Sequence, residues 1–187
     1  MDARPAPALP TEVSLHEAAL NHLARYATTA AGLVRVLDRR VDRYVRAGGD
    51  AEAGAKAKIA VRAVVARLVG KGLVDDAAFA ANRARSLARA GRSRRAVAAH
   101  LAVRGVAAEV ARGALVEDAE DELAAALILA RKRRLGPYGS GDSDPVVRHK
   151  ALGTLARAGF SQEIARRALG LGRDEAEARI HRFRQNG

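Results

Sequence analysis

The sequence predicts an all-α protein, an elongated array of three tandem three-helix units built from helix-turn-helix-like hairpins, and three observations carry that prediction. The chain of 187 residues is 49% hydrophobic yet holds only three Phe, three Tyr and no Trp. Its core therefore has to be built from Ala, Val and Leu, which favours closely packed helices over stacked sheets. Apolar residues recur at helical spacing between capping residues and glycines. Finally, His100–Leu115 aligns without gaps on Thr154–Leu169, with identity at eight of sixteen positions. The identities fall on the end of one helix, its Gly stop and the apolar face of the next, so both segments are expected to form the same hairpin. Units that pack mainly on their neighbours make an array.

In order along the chain, residues 1–13 hold Pro5, Pro7 and Pro10 and read as a disordered tail. The first unit spans 14–74. Leu15, Ala19, Leu20 and Leu23 mark a helix ending near Tyr26, and Thr28 or Thr29 can cap the next. That second helix carries the stripe Leu33, Leu37, Val41 and Tyr44 down to Gly48-Gly49. A seam this short is better suited to intramolecular packing than to a coiled coil. A third helix is predicted over Ala57–Lys71.

The second unit, 75–117, opens with Asp75 as N-cap of a helix through Phe79, Arg83 and Leu87 that stops at Gly91. Ser93 can cap the next helix, with Val97 and Leu101 on one face and Gly105 as the left-handed stop. The third unit, 118–171, begins with a helix that is acidic at its start and basic at Arg131, Lys132, Arg133 and Arg134, a polarity that suits the helix macrodipole. Residues 136–145 read as a flexible loop, Asp144-Pro145 start a helix, and Ser161 caps another. Residues 172–187 read as a short C-terminal basic helix with a frayed end.

The formal net charge is +12. Such a balance points to a polyanionic partner, because Lys and Arg gain by releasing counterions condensed on phosphates. The charge is concentrated. Between Asp76 and Glu109 there is no acidic residue, while Arg83, Arg85, Arg89, Arg92, Arg94, Arg95 and Arg104 all fall inside. Together with Arg131, Lys132, Arg133 and Arg134 they form the candidate DNA- or filament-binding set. The helix after the Gly105 turn offers only Glu109 and Arg112 to a major groove, so backbone contacts are expected rather than base-sequence readout.

Enzymatic readings find no support. The five histidines lack metal-ligand spacing, cysteine is absent, and Gly139-Ser140-Gly141 is not a Gly-x-Ser-x-Gly elbow. The Gly-rich loop has no Gly-x-x-x-x-Gly-Lys-Ser/Thr, and capping explains Asp75 and Asp76. No catalytic residue, cofactor or metal is expected. Zero cysteines fit a reducing compartment, and the N-terminus lacks an apolar run, so a cytoplasmic protein without a membrane partner is expected.

Several of these residues also carry a resemblance. Gly72-Leu73-Val74-Asp75-Asp76 with Phe79 and Ala80, then Val97, Leu101, Arg104, Gly105 and Val106, resemble the RecX family, regulators of the RecA recombinase. Leu155-Ala156-Arg157-Ala158-Gly159-Phe160 with Ile164 and Ala168-Leu169 is similar to the family's C-terminal signature. Ser93-Arg94 stands where many members carry Gly-Pro. The resemblance implies a non-enzymatic regulator that binds along the groove of the RecA–DNA filament and lowers recombinase activity in recombination, DNA repair and the SOS response. The expected partners are the RecA filament and DNA, met by a monomer. The competing reading is a helix-turn-helix transcription regulator, which would require a preferred duplex site and a two-fold dimer. A passive scaffold would instead show shallow salt dependence in binding.

Overall fold

The computed structural model of the protein describes residues 8–115, 118–139 and 144–185. Among these there are ten α-helices, one 3-10 turn and no strand. None of the described helices is long and apolar enough to cross a membrane. The chain divides into two compact units, the first running to Phe79 and including Arg104–Val106, the second holding Ala80–Val103 and everything from Ala107 onward.

The first unit contains α1 (Glu12–Leu23), α2 (Ala30–Arg46) and α3 (Ala51–Gly70). Leu15, Leu33, Leu37, Val41, Val61 and Leu68 are buried together, so the Leu37–Val41 stripe is consumed by packing inside the unit. Two boundaries differ from the sequence reading. Thr11 caps α1, accepting the Ser14 N–H at 3.3 Å, so helix begins inside the stretch read as a 1–13 tail. Residues 1–7 lie outside the described residues. Likewise α3 starts at Ala51, six residues before the predicted Ala57, because the Asp50 carboxylate accepts the Ala53 N–H at 2.6 Å. Gly54 sits inside that early turn because α2 passes close by, and a Cβ there would lie 2.5 Å from Val45 Cγ2.

Helix α4 (Asp76–Arg89) crosses the division and carries the chain into the second unit, which continues with α5 (Arg94–Arg104), whose last residue groups with the first unit, and α6 (Ala108–Ala114). Asp75 caps α4 by accepting the Ala77 and Ala78 N–H groups, both at 2.9 Å, and Gly91 leaves it at φ +82°. Then follow α7 (Ala119–Arg133), α8 (Pro145–Arg157), α9 (Gln162–Gly170) and α10 (Arg173–Gln185). Asp118, Asp144 and Ser161 cap α7, α8 and α9, and Pro145 takes the first position of α8. The core is α7, apolar all round at Leu123–Ile128, surrounded by α8, α9 and α10. Residues 116 and 117, in the predicted second unit, lie outside the described residues.

Two further expectations are corrected here. The C-terminal basic helix, read as short with a frayed end, is the 13-residue α10; residues 186 and 187 lie outside the described residues, and Ala176 and Ile180 bury the helix in the α7 core. One turn apart, they give α10 an apolar edge that its charge obscures. The first part of the predicted flexible loop is also built in. Gly136–Tyr138 forms the 3-10 turn, Gly136 is buried at φ +52° against Leu169, and Tyr138 packs on the core. Residues 140–143 of that predicted loop lie outside the described residues.

The repeat found in the sequence reappears as a repeated joint. Within the first unit, the N-cap Thr29 of α2 donates its hydroxyl to the Arg104 carbonyl at 2.7 Å, and the next amide, Ala30 N–H, donates to the Asp76 carboxylate at 2.8 Å. Gly105, at φ +83°, lies so close that a Cβ would come within 2.4 Å of Ala31 Cβ. Within the second unit, the N-cap Ser93 of α5 donates to the Ala158 carbonyl at 2.6 Å, and Arg94 N–H donates to the Glu122 carboxylate at 3.1 and 3.2 Å. Gly159, at φ +92°, would place a Cβ 2.6 Å from Ser93 Oγ. In both joints a hydroxyl cap, the amide after it and a left-handed glycine do the same work. Thr29 and Ser93 are correspondingly buried.

Candidate nucleic-acid interface

The acid-free stretch becomes α4 and α5, two helices joined by the Gly91 turn in the second unit. Alanine supplies the inward residues, Ala80 and Ala84 on α4, so the helix backbone packs close and the longer arginines point outward or along its edges. Four predicted residues, Arg85, Arg89, Arg92 and Arg94, line one cavity of about 210 Å³. Arg85 is steadied by donating to Asn82 Oδ1 at 2.6 Å. The Arg94 backbone N–H holds the Glu122 carboxylate of the joint.

Arg92 also lines a second opening, a groove of about 580 Å³ shared with Lys132, Arg133 and Arg157. The basic end of α7 thus meets the α4–α5 turn. Lys132 Nζ donates to the Ala90 carbonyl at 2.7 Å, which fixes the α7 terminus beside the end of α4. Arg157 in turn donates to the Thr154 hydroxyl at 3.3 Å, and four cations along one groove suit successive phosphates.

The remaining predicted residues part company. Arg83 is half-buried and donates to His100 Nε2 at 3.0 Å. Arg95 is exposed on α5. Arg104 groups with the first unit, where its carbonyl takes the Thr29 hydroxyl and Arg35 Nη2. Arg131 turns toward the α10 side and pairs with Glu177 at 2.8 Å. Burial, with that same Glu177 carboxylate, pushes the neighbouring Tyr138 phenol up to about 12. Arg134 is exposed and ends α7 in the left-handed conformation, φ +57°.

Three features were missed by sequence reasoning. Arg157 joins the groove from α8, and Phe183 of α10 lines the cavity. The same cavity is lined by acidic residues, Asp118, Asp121 and Glu122, from the start of α7. Burial is the main force raising the carboxyl pKa of Asp121, aided by the charge of Asp118. Burial likewise raises Glu122, against the lowering effect of the Arg94 backbone N–H. Only the repeat offered a signal for Arg157: it is the helix-ending residue of the second copy, close to where Arg104 ends the first.

Comparison with known proteins agrees with this architecture. The family model described as RecX, second three-helix domain, matches residues 75–115. The chain is 44% identical over 173 residues to the regulatory protein RecX of Myxococcus xanthus (strain DK1622), covering 87% of this chain and 89% of that protein. It is 35% identical over 104 residues to the regulatory protein RecX of Agrobacterium fabrum (strain C58 / ATCC 33970), covering 56% and 55% of the two chains. A crystal structure of regulatory protein RecX superposes with a TM-score of 0.63 at 22% identity, over 82% of this chain and 68% of that one. RecX from Lactobacillus salivarius superposes with a TM-score of 0.59 at 17% identity, over 91% and 96%. The two structures establish a shared fold of tandem three-helix units. The fold, the second-domain match and the extended identity to a curated relative together make this chain a member of the RecX family of regulatory proteins.

Proposed function

We propose that this protein is a non-enzymatic regulator that binds the RecA–DNA filament and lowers recombinase activity, meeting DNA through backbone contacts. The observation that carries the reading is the groove where Arg92, Lys132, Arg133 and Arg157 converge. The α4–α5 stretch from 77 to 108 beside it contains no carboxylate to oppose them. Counterion release from phosphates gives such a surface affinity without sequence preference. The tandem repeat allows several weak contacts along one polymer, which gain by effective concentration.

The helix-turn-helix alternative is weaker on this geometry. Helix α6, which follows the tight turn, is seven residues long, and its two long polar side chains, Glu109 and Arg112, pair with each other at 2.8 Å. Little is left to reach base edges.

The test is RecA's single-strand-dependent ATPase, measured with sub-stoichiometric protein at two salt concentrations. Inhibition well below one molecule per RecA subunit, weakening as salt rises, is the expected result. The double variant Arg92→Glu/Arg133→Glu should need at least about tenfold more protein for the same inhibition, as loss of several phosphate contacts implies. Full potency in that variant removes this surface from the mechanism. No inhibition, with salt-dependent duplex binding retained, would transfer support to the transcription reading.

A further inference from the structure

The cavity between α4, α5 and the start of α7 has a chemistry that phosphate contact alone does not use. Among its lining residues, the Arg89 and Arg92 guanidinium groups have no hydrogen-bond or ion-pair partner among the described residues. The half-buried Asp121 carboxylate, which lines the same cavity, has none either among the described residues. Arg89, Arg92 and Asp121 thus line one cavity without pairing with one another. The cavity is also lined by Ala84, Ala88, Val97 and Ala125 and by the half-buried ring of Phe183. A carboxylate that is half-buried and receives no hydrogen bond is short of donors. An occupant has to bring an anion for the arginines, a flat apolar body and N–H donors for the carboxylate.

We propose that this cavity receives one unpaired base of single-stranded nucleic acid, its phosphate on Arg89 and Arg92, its ring against Phe183 and the alanines, and its Watson–Crick edge on Asp121. Guanine fits best. It presents N1–H and N2–H side by side to a carboxylate, whereas thymine places carbonyl oxygens on both sides of its one N–H. At about 210 Å³ the space falls below the roughly 300–1,000 Å³ of pockets for drug-sized ligands, so one planar ring system enters and a duplex does not. Arg92 belongs to both openings, which lets a strand pass its phosphates along the groove while one base turns into the cavity. Single-stranded bases are read in this manner, by stacking and by hydrogen bonds to their Watson–Crick edges. The inference rests on the polyanion-binding reading of the neighbouring groove and adds to it a base preference.

Fluorescence anisotropy of the full chain with labelled oligonucleotides tests it. The probes are a short oligo(dT), the same strand with one central dG, and the same strand with one central abasic site. The dG strand should bind about tenfold more tightly than oligo(dT), within the range one bidentate base contact supplies. In Asp121→Asn that preference should shrink to about twofold or less while oligo(dT) affinity stays the same or rises. Phe183→Ala should lower dG-strand affinity toward that of the abasic strand. Equal binding of the dG and dT strands by the unmodified protein, or a preference that survives Asp121→Asn, overturns the base site and leaves the groove reading standing. Absence of binding to any strand at low salt overturns the groove reading as well. If Asp121→Asn alters only RecA-filament binding, with no base preference in any strand, the cavity takes a protein segment and the base site is wrong.

Discussion

The two joints built on Thr29 and Ser93 share a plan and differ in how they secure it. At the first, the Arg104 carbonyl receives two donors, the Thr29 hydroxyl at 2.7 Å and Arg35 Nη2 at 2.9 Å. At the second, the Ser93 hydroxyl is the donor to Ala158, and the following amide is instead embraced by both oxygens of Glu122. Repeated backbone geometry is therefore maintained by side chains that need not repeat. The second joint also shares residues with the binding cavity, since Arg94 and Glu122 line it. Perturbing that joint should disturb function, whereas perturbing the first should register mainly in stability.

Glycine substitutions should break the comparison most severely. Gly105→Ala places a Cβ on the rigid Ala31 methyl and forces a left-handed backbone, costing about 2–5 kcal/mol. Gly159→Ala meets the Ser93 hydroxyl, which can rotate away, and should cost less, about 2–3 kcal/mol. Gly48, also at positive φ but in open space, provides the control at about 1–2 kcal/mol for its alanine variant. Urea unfolding ranks the three, and equal losses would mean that close approach adds nothing to the conformational cost.

Removing the caps sharpens the difference on a smaller scale. Ser93→Ala deletes a cap and leaves the Ala158 carbonyl without its hydroxyl donor, an expected loss of about 2 kcal/mol. Thr29→Ala should lose about 1 kcal/mol, because Arg35 still serves Arg104. Denaturation midpoints that reverse this order would refute the redundancy.

The smallest effect is a pH signature. Burial raises the Glu122 carboxyl above its ordinary 4.5, so in the window between 4.5 and the raised value the folded state binds more proton than the unfolded one. Stability attributable to this group is highest below that window and declines as pH rises through it. Glu122→Gln should flatten that part of the stability–pH curve, measured by unfolding at a series of pH values from 4 to 7. An unchanged slope would show that Glu122 does not contribute.

What was legible in the sequence was local. Asp75, Ser93 and Ser161 cap where they were read to cap, because a side chain reaching an amide two or three residues away needs no knowledge of the rest of the fold. The hairpin repeat was legible for the same reason. The early turn of α3 was not legible, since nothing near Gly54 in the sequence says that Val45 of α2 needs the space beside it. Arg92 and Lys132–Arg133 could be chosen one by one, but nothing in their spacing says that they face one groove. Phe183 was invisible as a cavity residue, since a lone aromatic on a charged helix shows no target until α10 is packed on α7.

The start of α8 departs from the pattern set by the starts of α2 and α5. Thr29–Ala30 and Ser93–Arg94 act as plugs that offer a hydroxyl and an amide to the turn ahead of them. At the corresponding place in the last hairpin stand Asp144, whose carboxylate accepts the Val146 N–H at 2.8 Å and has no hydroxyl to offer, and Pro145, which has no N–H. A fourth hairpin arriving there with carbonyl and carboxylate would find no plug for its socket, so the same coupling cannot be made a third time.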